Sequence, residues 1–187
     1  STGRRRGAGT LVVENTVGAA AEQGRDLDAL QKLGNEVNAR TRSMGVALTP
    51  CTVPAAGKPT FTLAEDEMEM GVGIHGEPGR RRVKLASADA IAQEMVSAIL
   101  GDLAPQAGAK VLLLINGFGG TPAMELYLKA NATRQLLDQA GLKVERYLVG
   151  NYVTSIEMAG CSITVTELNE ETLALWDAPV KTSALAW

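Results

Sequence analysis

Histidine is almost absent from this chain: His75 is the single one in 187 residues. A Ser-His-Asp arrangement would have to use it. No CxxC, HExxH or histidine cluster offers ligands for a transition metal. Cysteine is scarce too. Cys51 and Cys161 make no disulfide framework, which points to a reducing, cytoplasmic compartment. The longest unbroken aliphatic run covers only residues 111–115, against the ~20 residues that span a bilayer. The Arg-rich start has no apolar stretch before a cleavage site, so no membrane partner is expected. A net charge of −3 argues against nucleic acid. What the chain does have is apolar material. Its 45% hydrophobic and 21% charged residues suffice for a sizeable core.

The periodicity predicts a helix from Thr10 that ends at Gly24, then a second one capped by Asp26 and carrying Leu27, Leu30, Leu33 and Val37. Residues 44–48 read as a short buried strand. Pro50, Pro54 and Pro59 make the following loop the expected boundary between a segment 1–50 and a segment 51–187. Residues 68–75 alternate strictly. Met68, Met70, Val72 and Ile74 face one way; Glu69, Gly71, Gly73 and His75 face the other. Ser87 caps a helix with Ile91, Met95, Ile99 and Leu103 on one face, broken at Gly101 or Pro105. Residues 110–115 form a buried strand. Thr121 and Pro122 then open a helix whose apolar face is Met124, Leu128, Ala132, Leu136 and Ala140. Strands follow at 144–149 and 162–168, then a short helix at 169–176 and a tail. The alternation of strands and helices gives an α/β or α+β layered fold.

Three places could carry chemistry. His75 ends its strand on a face where Gly71 and Gly73 leave room for a ligand, and a neutral imidazole can serve as base or nucleophile. The bland alternative is a hydrogen-bonded strand-end histidine. The run 116–122, Asn-Gly-Phe-Gly-Gly-Thr-Pro, has the strand–loop–helix layout of an anion site. It matches neither GxGxxG nor the P-loop, and a tight turn accounts for the same glycines better. Arg80, Arg81 and Arg82 could meet phosphate, although a solvated loop explains them better, as it does Arg4, Arg5 and Arg6. Glu65, Asp66 and Glu67 could bind a cation, although a charged turn explains them better, and the two cysteines read as core or loop thiols.

The segment 68–79, Met-Glu-Met-Gly-Val-Gly-Ile-His-Gly-Glu-Pro-Gly, resembles the histidine segment of the dihydroxyacetone kinase family in its substrate-binding subunit or domain. Five further blocks resemble that family in the same order: 9–22, 51–59, 61–64, 116–122 and 173–179. The resemblance implies that His75 holds a short ketose, dihydroxyacetone or a four-carbon relative, as a covalent hemiaminal for phosphorylation of its terminal hydroxyl. Gly73 would keep the approach to the ring open. It further implies the second domain of the family's substrate-binding subunit, with a mixed or largely antiparallel sheet flanked by helices, and a homodimer.

By the same resemblance this chain binds no cofactor. Mg²⁺ and ADP or ATP belong to a partner nucleotide-binding subunit, recharged from phosphoenolpyruvate in one branch of the family. The ending at Trp187 resembles the stand-alone, phosphoenolpyruvate-dependent type. The family's base and most of its substrate contacts lie in a first half with no counterpart here, so residues 1–50 are expected to end that first domain and the chain alone to be inactive as a kinase. Two other readings predict different behaviour. A non-catalytic ketose sensor that contacts a regulator would bind ketone without phosphorylating it. A nucleotide-binding fragment around residues 117–121 would be indifferent to His75→Ala.

Overall fold

A computed structural model describes residues 7–73 and 79–187. The elements in chain order are α1 (Gly9–Glu22), α2 (Leu27–Ala39), β1 (Thr41–Ala47), β2 (Thr52–Val53), β3 (Lys58–Pro59), β4 (Glu67–Met70), β5 (Arg81–Lys84), α3 (Ala88–Leu103), β6 (Lys110–Gly117), α4 (Ala123–Gln139), β7 (Lys143–Gly150), β8 (Gly160–Leu168) and α5 (Glu170–Trp176). Six strands form one sheet in the order β5-β4-β1-β8-β6-β7, antiparallel except for the parallel pair β6–β7. The expected layered α/β fold with a largely antiparallel sheet is therefore present.

Both faces of this sheet are covered, which explains why β6 reads as a continuous apolar run rather than an alternating one. Val111, Leu113 and Ile115 of β6 join Cys161, Ile163 and Val165 of β8 beneath α3 and α4. Leu112 and Leu114, from the alternate positions of β6, join Val12, Leu33, Val37, Leu175 and Trp176 beneath α1, α2 and α5. Each such fully buried aliphatic side chain contributes about 1.5–3 kcal/mol relative to leaving it exposed.

The helix ends follow the expected chemistry. Asp26 and Ser87 accept from the amides of Ala29 and Ala90. Asn169 and Thr172 close a reciprocal capping box on α5. Gly24, at φ +81°, lies just past α1. Helix α3 runs through Gly101 and stops only where Ala104 turns left-handed (φ 48°) before Pro105.

Strand β1, from the segment 1–50, pairs with β8 over seven positions and with β4 over two. Several expectations need correction. The loop after β1 carries a small β2–β3 hairpin. The strand expected over 68–75 ends at Met70, because Gly71 adopts φ +81° and turns the chain out of the pleat. Alternation beyond Met70 therefore does not assign faces. Residues 81–84, read as loop, form the edge strand β5, where Arg82 meets Glu69 at 3.5 Å and Arg81 meets Glu94 at 2.5 Å. The buried face of α4 is Leu126, Ala130, Ala132, Thr133 and Leu137 with the lysine Lys129; of the expected face Ala132 is buried and Leu136 packs against the core, whereas Met124 and Leu128 are 80% and 54% exposed. Lys129 misled the periodicity because its ammonium is buried at the end of α3, donating to the Ala88 carbonyl at 2.7 Å.

Candidate functional site

The short length of β4 leaves a concavity along β1. Among the described residues, β4 covers β1 only at Val46 and Ala47, so the rest of β1 borders a groove of about 1050 Å³. Helix α2 contributes Gln31, Asn35 and Asn38 to it. Helix α3 contributes Asp102, which is ion-paired with Arg42 of β1. Gly71, Val72 and Arg80 close one end, beside Gly45, Phe118 and Ser162.

His75 lies outside the described residues, but both ends of its loop are fixed. The Gly71 amide donates to the Gly45 carbonyl at 2.7 Å, and the Arg80 amide donates to the Met70 carbonyl at 2.7 Å. Met70 pairs with Arg81, so the segment that carries His75 connects two paired strands, β4 and β5. Gly73 is buried. The open glycine face expected from the alternation is not there at Gly71: a Cβ on that residue would meet Arg80 Cγ at 2.8 Å.

Gly79 has a sharper requirement, since a Cβ there would stand 2.3 Å from the Met70 carbonyl oxygen. Gly79→Ala must therefore displace the base of the loop that carries His75. We expect a loss of about 1–3 kcal/mol of stability, read from the urea midpoint. Sequence reasoning missed this residue, because a turn glycine and a close-approach glycine look alike before the partner backbone is known.

The glycine loop after β6 is not an open phosphate cradle. Its amides are already used: Phe118 donates to the Gly160 carbonyl at 3.1 Å, Gly120 to the Met158 carbonyl at 2.9 Å, and Gly119 to Asn151 Oδ1 at 3.2 Å. The glycines are there because residues 151–159 press against them. A Cβ on Gly117, Gly119 or Gly120 would lie 2.1–2.4 Å from Asn151, Ile156 or Glu157 oxygens. Thr121 does not cap α4. Its hydroxyl donates to the Gly160 carbonyl at 2.9 Å and accepts from the Gly160 amide at 2.8 Å, and Pro122 takes the cap position. Asn116 holds the same loop, accepting from Tyr152 and Val153 amides and donating to the Val153 carbonyl.

Both cysteines are buried, as read from the sequence. Burial pushes the Cys161 thiol up to about 11. As pH rises from 9 towards 11, the unfolded thiol loses its proton while the native one keeps it, so stability falls through this window. Cys161→Ala removes that term. We expect the variant to lose about 2 kcal/mol less than the parent between pH 8 and pH 10.5 in urea unfolding.

The Dak1 domain pattern matches residues 1–184. The chain is 46% identical to the dihydroxyacetone-binding subunit of the PEP-dependent dihydroxyacetone kinase of Escherichia coli (strain K12), covering 100% of this chain and 59% of that subunit. It is 47% identical to the dihydroxyacetone-binding subunit of PTS-dependent dihydroxyacetone kinase 1 of Listeria innocua, covering 100% of this chain and 56% of that one. The chain thus spans somewhat over half the length of these relatives. Among solved structures, the dihydroxyacetone kinase operon co-activator Dha-DhaQ superposes with a TM-score of 0.87 at 35% identity, over 92% of this chain and 54% of its own.

Proposed function

The chain belongs to the Dak1 domain family, and from that premise we propose that it is the ketose-binding part of a dihydroxyacetone kinase, with His75 as the covalent anchor. The observation that carries this reading is the 46% identity to a dihydroxyacetone-binding subunit across the whole chain. The regulator alternative is weaker, since the co-activator stands at 35%. The nucleotide alternative loses its site, because the amides of the glycine loop are occupied internally.

In the proposed step a ring nitrogen of neutral His75 adds to the ketone carbon. A C–N bond forms, the C=O π bond opens, and the proton of the other ring nitrogen ends on the former carbonyl oxygen. Nothing leaves, so the adduct has the mass of protein plus ketose. The tether converts a weak encounter with a small polar molecule into a positioned one and presents its terminal hydroxyl for phosphorylation. Gly73, the second residue proposed for the site, sits two positions before His75; Gly73→Val would crowd that approach. The phosphoryl group would come from a separate nucleotide-binding subunit carrying Mg²⁺ and ADP or ATP, by the phosphoenolpyruvate-dependent route named for the Escherichia coli relative. A homodimer in the cytoplasm completes the proposal, with this chain inactive as a kinase by itself.

The test is intact-mass spectrometry under mild ionisation with dihydroxyacetone. The chain is taken as it stands and, in parallel, joined to the part of the Escherichia coli subunit that it does not match. A ketose-sized adduct that maps to His75 supports the proposal. A folded, completed protein without an adduct overturns the anchor.

A further inference from the structure

Helix α4 carries more apolar surface than the core takes. Leu126, Ala130 and Leu137 are buried, yet Met124, Tyr127 and Leu128 are 80%, 62% and 54% exposed. Their i, i+3, i+4 spacing puts them on one outward face. Ile156 is exposed as well, and its backbone is left-handed at φ 54°. A β-branched residue adopts that region only against steric strain, and such strain is held most often at functional contacts. An exposed isoleucine gains no burial within this chain to offset it.

Hydrogen bonds bring these residues to one end of the molecule. The Gly120 amide donates to the Met158 carbonyl at 2.9 Å, Thr121 is clamped to Gly160, and Pro122 caps α4. The Thr52 amide donates to Glu157 Oε1 at 2.7 Å, which adds the exposed Val53 to the same end. Single exposed apolar side chains are ordinary, but a contiguous group rimmed by charge marks a protein interface. Here the exposed carboxylates of Glu125 and Glu157 adjoin Met124 and Ile156, and Lys58 faces Val53 across the β2–β3 hairpin.

The glycine loop joins this patch to the groove. Phe118 lines the groove, and the next residues, Gly119 and Gly120, touch the backbone of residues 156–158. Two residues span at most about 7 Å. A body seated on Met124 and Ile156 therefore overhangs the Phe118 end of the groove. The loop amides that could have cradled a phosphate are bonded internally, so the phosphoryl donor of the proposed reaction arrives on another protein. We propose that Met124, Tyr127, Leu128 and Ile156 are the docking surface for the subunit that brings the phosphoryl donor, which meets them with an apolar pocket bordered by basic side chains facing Glu125 and Glu157. This rests on the ketose reading above and adds the partner surface to it.

The experiment reconstitutes phosphorylation of dihydroxyacetone from phosphoenolpyruvate, using the completed protein and the other subunits of the Escherichia coli PEP-dependent kinase. The half-saturating concentration of those subunits is read. Met124→Glu places a carboxylate in the first turn of α4, where the helix dipole favours it. It should raise that concentration at least tenfold. Ile156→Gly removes both the anchor and the strain. It should raise the concentration roughly fivefold, with the melting temperature unchanged or up to about 4 °C higher. Both variants should keep the ketose adduct. Leu27→Glu, at an 80% exposed position of α2 across the sheet, is the control and should stay within twofold of the parent. Half-saturation within twofold in Met124→Glu, or a parent that captures ketose but never turns over with those subunits, overturns the docking surface alone. A parent without adduct overturns the ketose reading itself. A variant that melts lower in the completed protein but not in the chain alone puts the rest of the subunit on this face, and a dimer that Met124→Glu dissociates puts a second copy there; each overturns the inference.

Discussion

His75→Ala is expected to abolish covalent ketose capture and leave the fold standing. The loss should be complete rather than graded, because an alanine has no nitrogen to form the bond; residual binding would be the weak, non-covalent encounter of a small polar molecule with the groove. The fold should survive because backbone bonds between described residues hold the loop ends. Gly71 is tied to Gly45 and Arg80 to Met70 through backbone bonds, and the β4–β5 pairing continues over four positions. A melting temperature within ~2 °C of the parent, with no adduct in the mass spectrum, is the expected pair of results. An adduct in the variant would move the anchor to another nucleophile, and a large fall in melting temperature would make the histidine a structural residue.

Much of this architecture was legible because local chemistry decided it. Asp26 and Ser87 announced their helices, and the run 111–115 could only be buried. What was not legible depended on partners distant in sequence. The alternation over 68–75 promised one long strand, but Gly71 turns out of it, a choice made by the approach of Gly45 and Arg80. Thr121 had the composition of a cap and is instead clamped to Gly160, 39 residues away. Lys129 broke the apolar pattern of α4 because a lysine can be buried where its ammonium finds a carbonyl. At the candidate site, His75 stood out as the lone histidine beside glycines.

Gly160→Val should be the most damaging substitution outside the cores. Gly160 opens β8 at φ +144°, a backbone region that a β-branched residue cannot adopt without strain. A Cβ would stand 2.2 Å from the Val46 carbonyl oxygen and 2.9 Å from Ala47 Cα, both backbone atoms of β1 that cannot rotate away. Relieving that clash separates β1 from β8 where the sheet meets the groove. It also pulls the Gly160 peptide from three bonds, two to Thr121 and one from the Phe118 amide. Strain, overlap and bond loss act together, so a destabilisation of about 4 kcal/mol or more is expected, a large fraction of the 5–15 kcal/mol that holds a typical domain. The urea midpoint measures it. Thr121→Val, which removes two of the three bonds and adds no clash, should cost about 1–3 kcal/mol and so separates the hydrogen-bond share from the steric one. The same clamp positions Phe118 over Gly45, so ketose capture should fall in Thr121→Val even in protein that remains folded. Unchanged capture there would mean that the Phe118 end of the groove is not where the ketose rests.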